Sequence, residues 1–259
     1  MEPFLSIVSA GLPLQLVALS CGVTLFAGFV KGAVGFAMPL IMVSSFSAFL
    51  PQELALVGLI LPTLITNLGQ ALRQGAGPAL ASARQFWRFI AATVVFIAVS
   101  APFATSIPRV AYLLLLGVPV TAFAGLQLAG VALALRLQHR ARAEMGLGVI
   151  GGIYGGVSGI WGPPLLVYLL SVGTPKVEMI RVQGVVFLIG SVALLSAHLG
   201  TGLADARSLG FSALLVVPAL LGMVLGFRLQ DRLDQRVFRR WTQGLLVLTG
   251  LNLIRQALV

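Results

Sequence analysis

The chain has 259 residues, of which 58% are hydrophobic and 9% charged. A soluble domain is about 45–50% apolar and about 25% charged, and no soluble fold of this size has the interior to hide so much apolar side chain, so a soluble enzyme, a secreted disulfide-stapled domain and a disordered chain are excluded. Lys and Arg number 17 against 7 Asp and Glu, a net charge of +10, which in a chain whose solvent is lipid marks cytoplasmic loops rather than a nucleic-acid surface.

The single cysteine, Cys21, lies inside an apolar run, so no intrachain disulfide can form. The run Val17–Cys21 loosely resembles a lipoprotein cleavage site, but no Lys or Arg precedes it, and a buried thiol is expected. Apolar stretches follow at 15–30, 33–50, 54–72, 86–105, 110–135, 145–160, 162–173, 183–201, 208–227 and 242–258. A helical span needs about 20 residues. By that measure 54–72, 86–105, 110–135, 183–201, 208–227 and 242–258 are full spans, and the other four are short stretches in two adjacent pairs split at Gly-rich points. None alternates with the period of two that a membrane β-strand needs.

Charge sets the expected topology. Arg73, Arg84 and Arg88 follow 54–72; Arg136, Arg140 and Arg142 follow 110–135; Arg228, Arg232, Arg236, Arg239 and Arg240 follow 208–227. These loops are placed inside, and the weakly basic connections at Arg109 and Asp205/Arg207 outside. The N-terminus has no Lys or Arg before residue 31 and is placed outside, as is the C-terminus. Parity then makes 15–50 and 145–173 hairpins that enter and return. Each half is one hairpin plus three spans, an odd number of crossings, so the halves run in opposite directions. The first repeat is 1–135 and the second 136–259, together one membrane domain. The expected fold is an all-α polytopic membrane protein of two inverted-topology repeats, each a broken or re-entrant helical hairpin with three transmembrane helices, about eight membrane segments in all.

An internal repeat accompanies this topology. At a shift of 124 residues Gly28, Gly32, Gly35, Pro39 and Pro51 fall on Gly152, Gly156, Gly159, Pro163 and Pro175. Gly75–Gly77 falls on Gly200–Gly202 with a slip of one. Inverted repeats with broken helices place a transport site at the repeat interface.

Two motifs carry the chemistry. The first runs from Gly28 through Lys31, Gly32 and Gly35 to Pro39; the second runs from Gly151 through Gly155, Gly156, Gly159, Trp161 and Gly162 to Pro163 and Pro164. Gly28, Pro39, Gly155, Gly156, Pro163 and Pro164 are read as helix-breaking or hinge positions, because glycine permits unusual backbone and proline removes a donor. Opened backbone near Gly35 and Gly159 would present N–H groups to an anion. The competing reading is that the glycines are helix-packing surfaces. Lys31 falls at the break between 15–30 and 33–50, deep in the bilayer, where an ionisable group costs on the order of 2.5–3.5 kcal/mol and marks function. With no neighbouring carboxylate its expected partner is an anion; the alternatives are snorkelling to the surface or pairing with Glu53.

Thr63, Asn67 and Gln70 share one helix face, with Thr66 beside them. Ser191 occupies the place of Asn67 in the second half, where Gln183 and His198 are also polar. His198 is near the outer end of its span, where an interfacial position competes with a site role. Trp161, between Gly159 and Gly162, reads as a pocket wall ahead of an interface anchor. All seven acids fall in loops or at segment ends, which speaks against a carboxylate proton relay, cation transport or a metal centre. No cofactor, no metal and no catalytic triad is expected.

At these motifs the sequence resembles the sulfite exporter TauE/SafE family, also called the toluene-sulfonate uptake permease family. The resemblance rests on Gly28, Gly32, Gly35, Phe36 and Pro39, on Thr66, Asn67 and Gln70, and on Gly151, Gly152, Gly155, Gly156, Gly159, Trp161, Gly162, Pro163, Pro164 and Tyr168, and it covers nearly the whole chain. Where many relatives carry a run of glycines, Phe36-Ala37-Met38 stands here. The resemblance implies a transporter of sulfur-containing or other organic anions in a bacterial inner membrane.

The expected function is a secondary transporter of sulfite or an organosulfonate. The anion would bind between the hairpin tips, at Lys31, Gly32, Gly35, Thr66, Asn67, Gln70, Gly159, Trp161, Gly162 and Gln183. Export is favoured because expelling one negative charge from a negative-inside cell releases about 2.3 kcal/mol per 100 mV. Proton-coupled uptake of an organic anion and an anion channel are the alternatives; a membrane enzyme or scaffold lacks clustered acid–base residues or long loops. Expected partners are the small anion and the bilayer, with no nucleic acid, and a homo-oligomer is left open.

Overall fold

The structure, a computed structural model, describes residues 10–131, 139–230 and 235–258, and the described residues form helices without a strand. In chain order these are α1 (Leu14–Val34), α2 (Met38–Phe46), α3 (Gln52–Gly58), α4 (Ile60–Leu72), α5 (Ala76–Gln85), α6 (Trp87–Ser100) with a 3-10 turn at Ala101–Phe103, α7 (Arg109–Leu128), α8 (Arg140–Ser158), α9 (Gly162–Ser171), α10 (Lys176–Gly200), α11 (Ala206–Gln230) and α12 (Gln235–Leu258). Large apolar side chains such as Leu14, Val95, Val99, Val217, Leu221 and Leu248 are exposed, while Lys31, Thr66, Asn67 and Gln70 are buried. That distribution is the reverse of the soluble one and suits a lipid surround.

Five helices are long and apolar enough to cross a membrane: Leu14–Val34, Gln52–Leu72, Arg109–Leu128, Val177–Gly200 and Ala206–Gln230. A sixth crossing arises if Ala76–Gln85 and Trp87–Phe103, bent by 78°, act as one. Four expected spans are thus recovered, and 86–105 is the second arm of the bent pair. The segment expected at 242–258 appears as a shorter apolar helix, Leu246–Leu258. The short stretch expected at 15–30 is instead a 21-residue helix. The far end of 110–135 extends beyond the described residues. Cys21 is partly exposed rather than buried.

The first hairpin break lies a few residues beyond its expected place at Lys31, and the second falls at 159–161, between the stretches 145–160 and 162–173. α1 runs through Gly28 and Lys31 and stops at Gly35, whose φ of 87° is left-handed and whose N–H closes on the Lys31 carbonyl at 2.6 Å. α8 runs through Gly155 and Gly156 and stops at Gly159, with φ 71° and its N–H on the Gly155 carbonyl at 2.7 Å. Gly28, Gly155 and Gly156 therefore do not break their helices, since an isolated helical glycine costs only about 1 kcal/mol and breaks nothing by itself. Pro39, Pro163 and Pro164 fall in the first turns of α2 and α9, where the missing donor is harmless. They start the return helices rather than break the entering ones.

The interrupted span α3–α4 has a local cause. Pro62 has no N–H to offer the Gly58 carbonyl one turn earlier. Ser212 of α11 substitutes: its hydroxyl donates to the Gly58 carbonyl at 3.0 Å and accepts the Leu61 N–H at 3.1 Å. A side chain thus inserted into the helical ladder is an established way to bend a helix.

The glycines decide the packing. α1 lies on α11, α8 on α6, α4 on α10 and α7 on α12. A methyl group added at Gly28 or Gly32 would collide with the backbone carbonyl of Ala219 or Met223 on α11. In the other half, a methyl added at Gly152 or Gly156 would lie 2.6 Å from the carbonyl of Thr93 or Ile97 on α6. Lipid supplies no hydrophobic drive for helix association, so close backbone contact at small residues replaces it. The start of α11 is fixed separately. The Asp205 carboxylate accepts the Ser208 N–H and hydroxyl, both at 2.7 Å, and the Asp205 N–H donates to the Ser208 hydroxyl at 3.0 Å.

Gly28→Ala and Gly152→Ala should each lower stability in detergent by about 1–3 kcal/mol through overpacking. Gly22→Ala, where nothing lies within 4 Å, should change it by no more than about 1 kcal/mol, towards greater stability. Thermal unfolding of the three variants checks the contrast. The hydrogen bonds from Ser208 hold the Asp205 carboxyl below its usual range. That contribution is present above the unfolded-state pKa and is lost as pH falls through the lower folded-state value. Asp205→Ala should therefore flatten the decline of unfolding temperature in that acidic window.

Candidate functional site

Lys31 stands on the last turn of α1, 1% exposed. It neither snorkels nor pairs with Glu53. Its ammonium donates to Thr66 Oγ1 at 2.9 Å and to Asn67 Oδ1. Both acceptors are neutral and adjacent on α4. The Thr66 hydroxyl gives its own proton to the Pro62 carbonyl at 2.6 Å, leaving a lone pair for the lysine. Asn67 is oriented from its other side, since Nδ2 donates to Ser191 Oγ at 3.0 Å and Ser191 donates to the Phe187 carbonyl at 2.6 Å. Asn67 and Ser191 are 124 positions apart, the offset of the repeat. An ammonium has three N–H groups, and these two bonds leave one for the cavity that Lys31 lines.

That cavity has a volume of about 30 Å³. Both hairpin tips reach it: Phe36, Ala37 and Pro39 from the first, and Gly159, Trp161 and Gly162 from the second. Thr63, Asn67, Phe187 and Leu246 complete much of the wall. Two buried polar atoms on it have no hydrogen-bond partner, Thr63 Oγ1 and Trp161 Nε1. The indole lies in a slot between two helices. A methyl at Gly155 on α8 would lie 2.6 Å from its ring, and one at Gly190 on α10 would lie 2.9 Å away. Phe187 packs edge-on against it, with ring centroids 6.1 Å apart. The first tip carries strain instead: Ala37 has φ 76°, left-handed for a residue with a Cβ.

The expected site residues separate into three groups. Lys31, Asn67, Gly159, Trp161 and Gly162 line the cavity, and Thr66 holds the lysine from behind. Gly32 is a packing contact to α11. Gln70, Gln183 and Gly35 meet beside the cavity. Gln70 Nε2 donates to the carbonyls of Gly35 and Ile180, each at 2.8 Å, which ties the first break to α10. A Cβ on Gly35 would sit 3.1 Å from Gln183 Oε1. The Oε1 atoms of both glutamines are buried without partners. His198 is fully buried, not interfacial, and both ring nitrogens lack partners.

The apolar wall residues Phe187 and Leu246 are not distinguished by the sequence, since nothing in an apolar run tells a cavity wall from core. Glu144 was read only as a segment-end acid. It is buried, accepting the Phe89 N–H at 3.2 Å and the Tyr168 hydroxyl at 3.3 Å. A second, open cavity of about 560 Å³ lies elsewhere, with Glu53, Thr105, Thr201, Asp205, Arg207 and Ser208 in its wall. Among the described residues no group of His, Cys, Asp or Glu is placed to hold a metal.

Gln70→Leu should destabilise by about 1–3 kcal/mol, because two buried carbonyls lose a shared donor. Gln183→Leu removes an unsatisfied oxygen and should cost less than about 1 kcal/mol. Thermal melts in detergent measure the difference.

No curated protein and no solved structure matches the chain significantly. A family model described as Sulfite exporter TauE/SafE matches residues 20–253. That match takes in both hairpins, the α4 polar face and the whole of α10 and α11, so this multi-pass membrane chain belongs to the sulfite exporter TauE/SafE family.

Proposed function

We propose that the protein is a secondary transporter that exports a small sulfur-containing anion, sulfite in the first instance, across a bacterial cytoplasmic membrane. The observation that carries this reading is Lys31: a buried ammonium whose described partners are all neutral, on the wall of a cavity reached by both hairpin tips. A charge in that setting is costly without a counter-ion, and an anion supplies one. Membership of a sulfite exporter family supports the choice of anion. The cavity volume of about 30 Å³ suits a compact oxyanion better than a larger organosulfonate, given that one water needs about 10–15 Å³ on this measure.

The transport cycle is a rocking of two inverted repeats, 1–135 and 136–259, about the anion, with both termini outside. Several contacts support the repeat. Gly28 and Gly32 meet Ala219 and Met223 as Gly152 and Gly156 meet Thr93 and Ile97, with offsets of 124 on one side of the contact and 126 on the other. The pairing of α1 with α11 mirrors that of α8 with α6. The Asn67–Ser191 bond joins a residue to its own counterpart, which belongs on the axis that exchanges the halves. Export of one negative charge gains about 2.3 kcal/mol per 100 mV and requires no coupling ion.

In purified protein, sulfite should raise the unfolding temperature, and Lys31→Met should weaken that binding by about 100-fold, the scale for unpairing a buried charge. Asn67→Asp should do the same by a different route, because a carboxylate beside Lys31 neutralises the site from within. Sulfite binding unchanged in Lys31→Met would remove the lysine from the site. In proteoliposomes, efflux from the negative compartment should rise with the imposed potential; flux that follows only a pH gradient would overturn export.

A further inference from the structure

The cavity fixes the charge of its ligand as well as its sign. Among the described residues that line it, Lys31 is the one ionisable group, and the groups it touches, Thr66 and Asn67, are uncharged. Ionisable side chains do occur on the elements around it. They include Cys21 on α1, Arg73 at the end of α4, Arg140, Arg142, Glu144 and Tyr154 on α8, Tyr168 on α9, Glu178, Arg181 and His198 on α10, Arg207 and Arg228 on α11, and Arg240 and Arg255 on α12. None of them is in the cavity wall. The site therefore offers one positive charge. A monoanion leaves the pair neutral, whereas a dianion buries a full uncompensated negative charge among Phe36, Trp161, Phe187 and Leu246, where desolvation is most expensive.

The hydrogen-bonding inventory points the same way. A fully deprotonated oxyanion only accepts hydrogen bonds. It can use the free Lys31 N–H and the Trp161 N–H. Thr63 Oγ1, in the cavity wall, is unpartnered and can accept as well as donate. Buried polar atoms in native proteins are ordinarily satisfied, and a ligand that brings a proton can give it to Thr63 Oγ1 while it accepts from Lys31 and Trp161.

We infer that the site takes a singly charged oxyanion that still carries one acidic hydrogen: hydrogen sulfite rather than the sulfite dianion. The inference rests on the transporter reading above. Each anion leaving the cell then takes one proton with it, although no carboxylate relay is present in the cavity wall. The hydrogen travels on the cargo, donated to Thr63 in the bound state.

The test compares sulfite with selenite, an anion of the same shape whose second proton leaves at higher pH. Binding to the purified full-length chain and flux in proteoliposomes are measured across neutral pH at constant total anion, with protein-free vesicles subtracted for passage of the neutral acid. Binding and flux should fall about tenfold per pH unit above the second ionisation of the anion, and the midpoint should move upward for selenite. Thr63→Val should weaken binding of both anions at every pH. A common midpoint for the two anions would assign the titration to the protein, and affinity that rises with pH would assign the dianion; either overturns the inference while leaving an anion transporter in place. Absence of sulfite binding and flux at every pH would instead overturn the transporter reading itself.

Discussion

An ammonium held inside a membrane protein by two neutral oxygens is the constraint around which the rest of this molecule is arranged. Lys31 has Thr66 and Asn67 as its acceptors, so α1 and α4 must stay within one side chain of each other. Asn67 can present its oxygen to the lysine only because Ser191 takes its amide nitrogen, which recruits α10. Each member of this relay is buried, and in a low-dielectric interior a partly satisfied polar network costs more than none. The relay thus fixes three helices together and leaves one unspent donor on the lysine.

Packing supplies the rigidity that such a relay needs. The helices meet through notches where a side chain would strike a backbone carbonyl, as at Gly28 on Ala219 and Gly156 on Ile97. Contacts of this kind tolerate little sliding, because dispersion gains vanish over fractions of an ångström. The bend at Pro62 is held in the same spirit, with Ser212 occupying the gap in the ladder. Pro62 lies one turn before Thr66, whose hydroxyl donates to its carbonyl, so the interrupted turn and the lysine's acceptor are joined by one hydrogen bond.

Much of this was legible in the residues themselves. The Thr63–Asn67–Gln70 spacing put three polar groups on one buried face, and Lys31 stood out because it alone among the cations fell well inside an apolar region. Other features were hidden for physical reasons. A helical glycine is written the same way whether it breaks a helix or admits a neighbour, and Gly28, Gly155 and Gly156 lie within unbroken helices. The breaks fall at Gly35 and Gly159, near which opened backbone was expected, and both have positive φ. Gln70 and Gln183 carry the residue type of a ligand-binding group, but Gln70 is committed to two backbone carbonyls, and only coordinates reveal that commitment.

One exchange between the two halves has a wider meaning. At the repeat offset Lys31 corresponds to Gly155, and Trp161 corresponds to Ala37. The first half pairs a large cation with a small tip residue; the second pairs a bare backbone position with a large ring that fills the room Gly155 leaves. If the halves descend from one duplicated segment, their division of labour is complete at this spot: one copy holds the charge and the other shapes the wall. A chimera made of two first halves would bring two ammonium groups to one cavity and repel itself open, while two second halves would crowd two indoles together and hold no charge. Only the heterologous union places one charge and one ring on the same cavity wall.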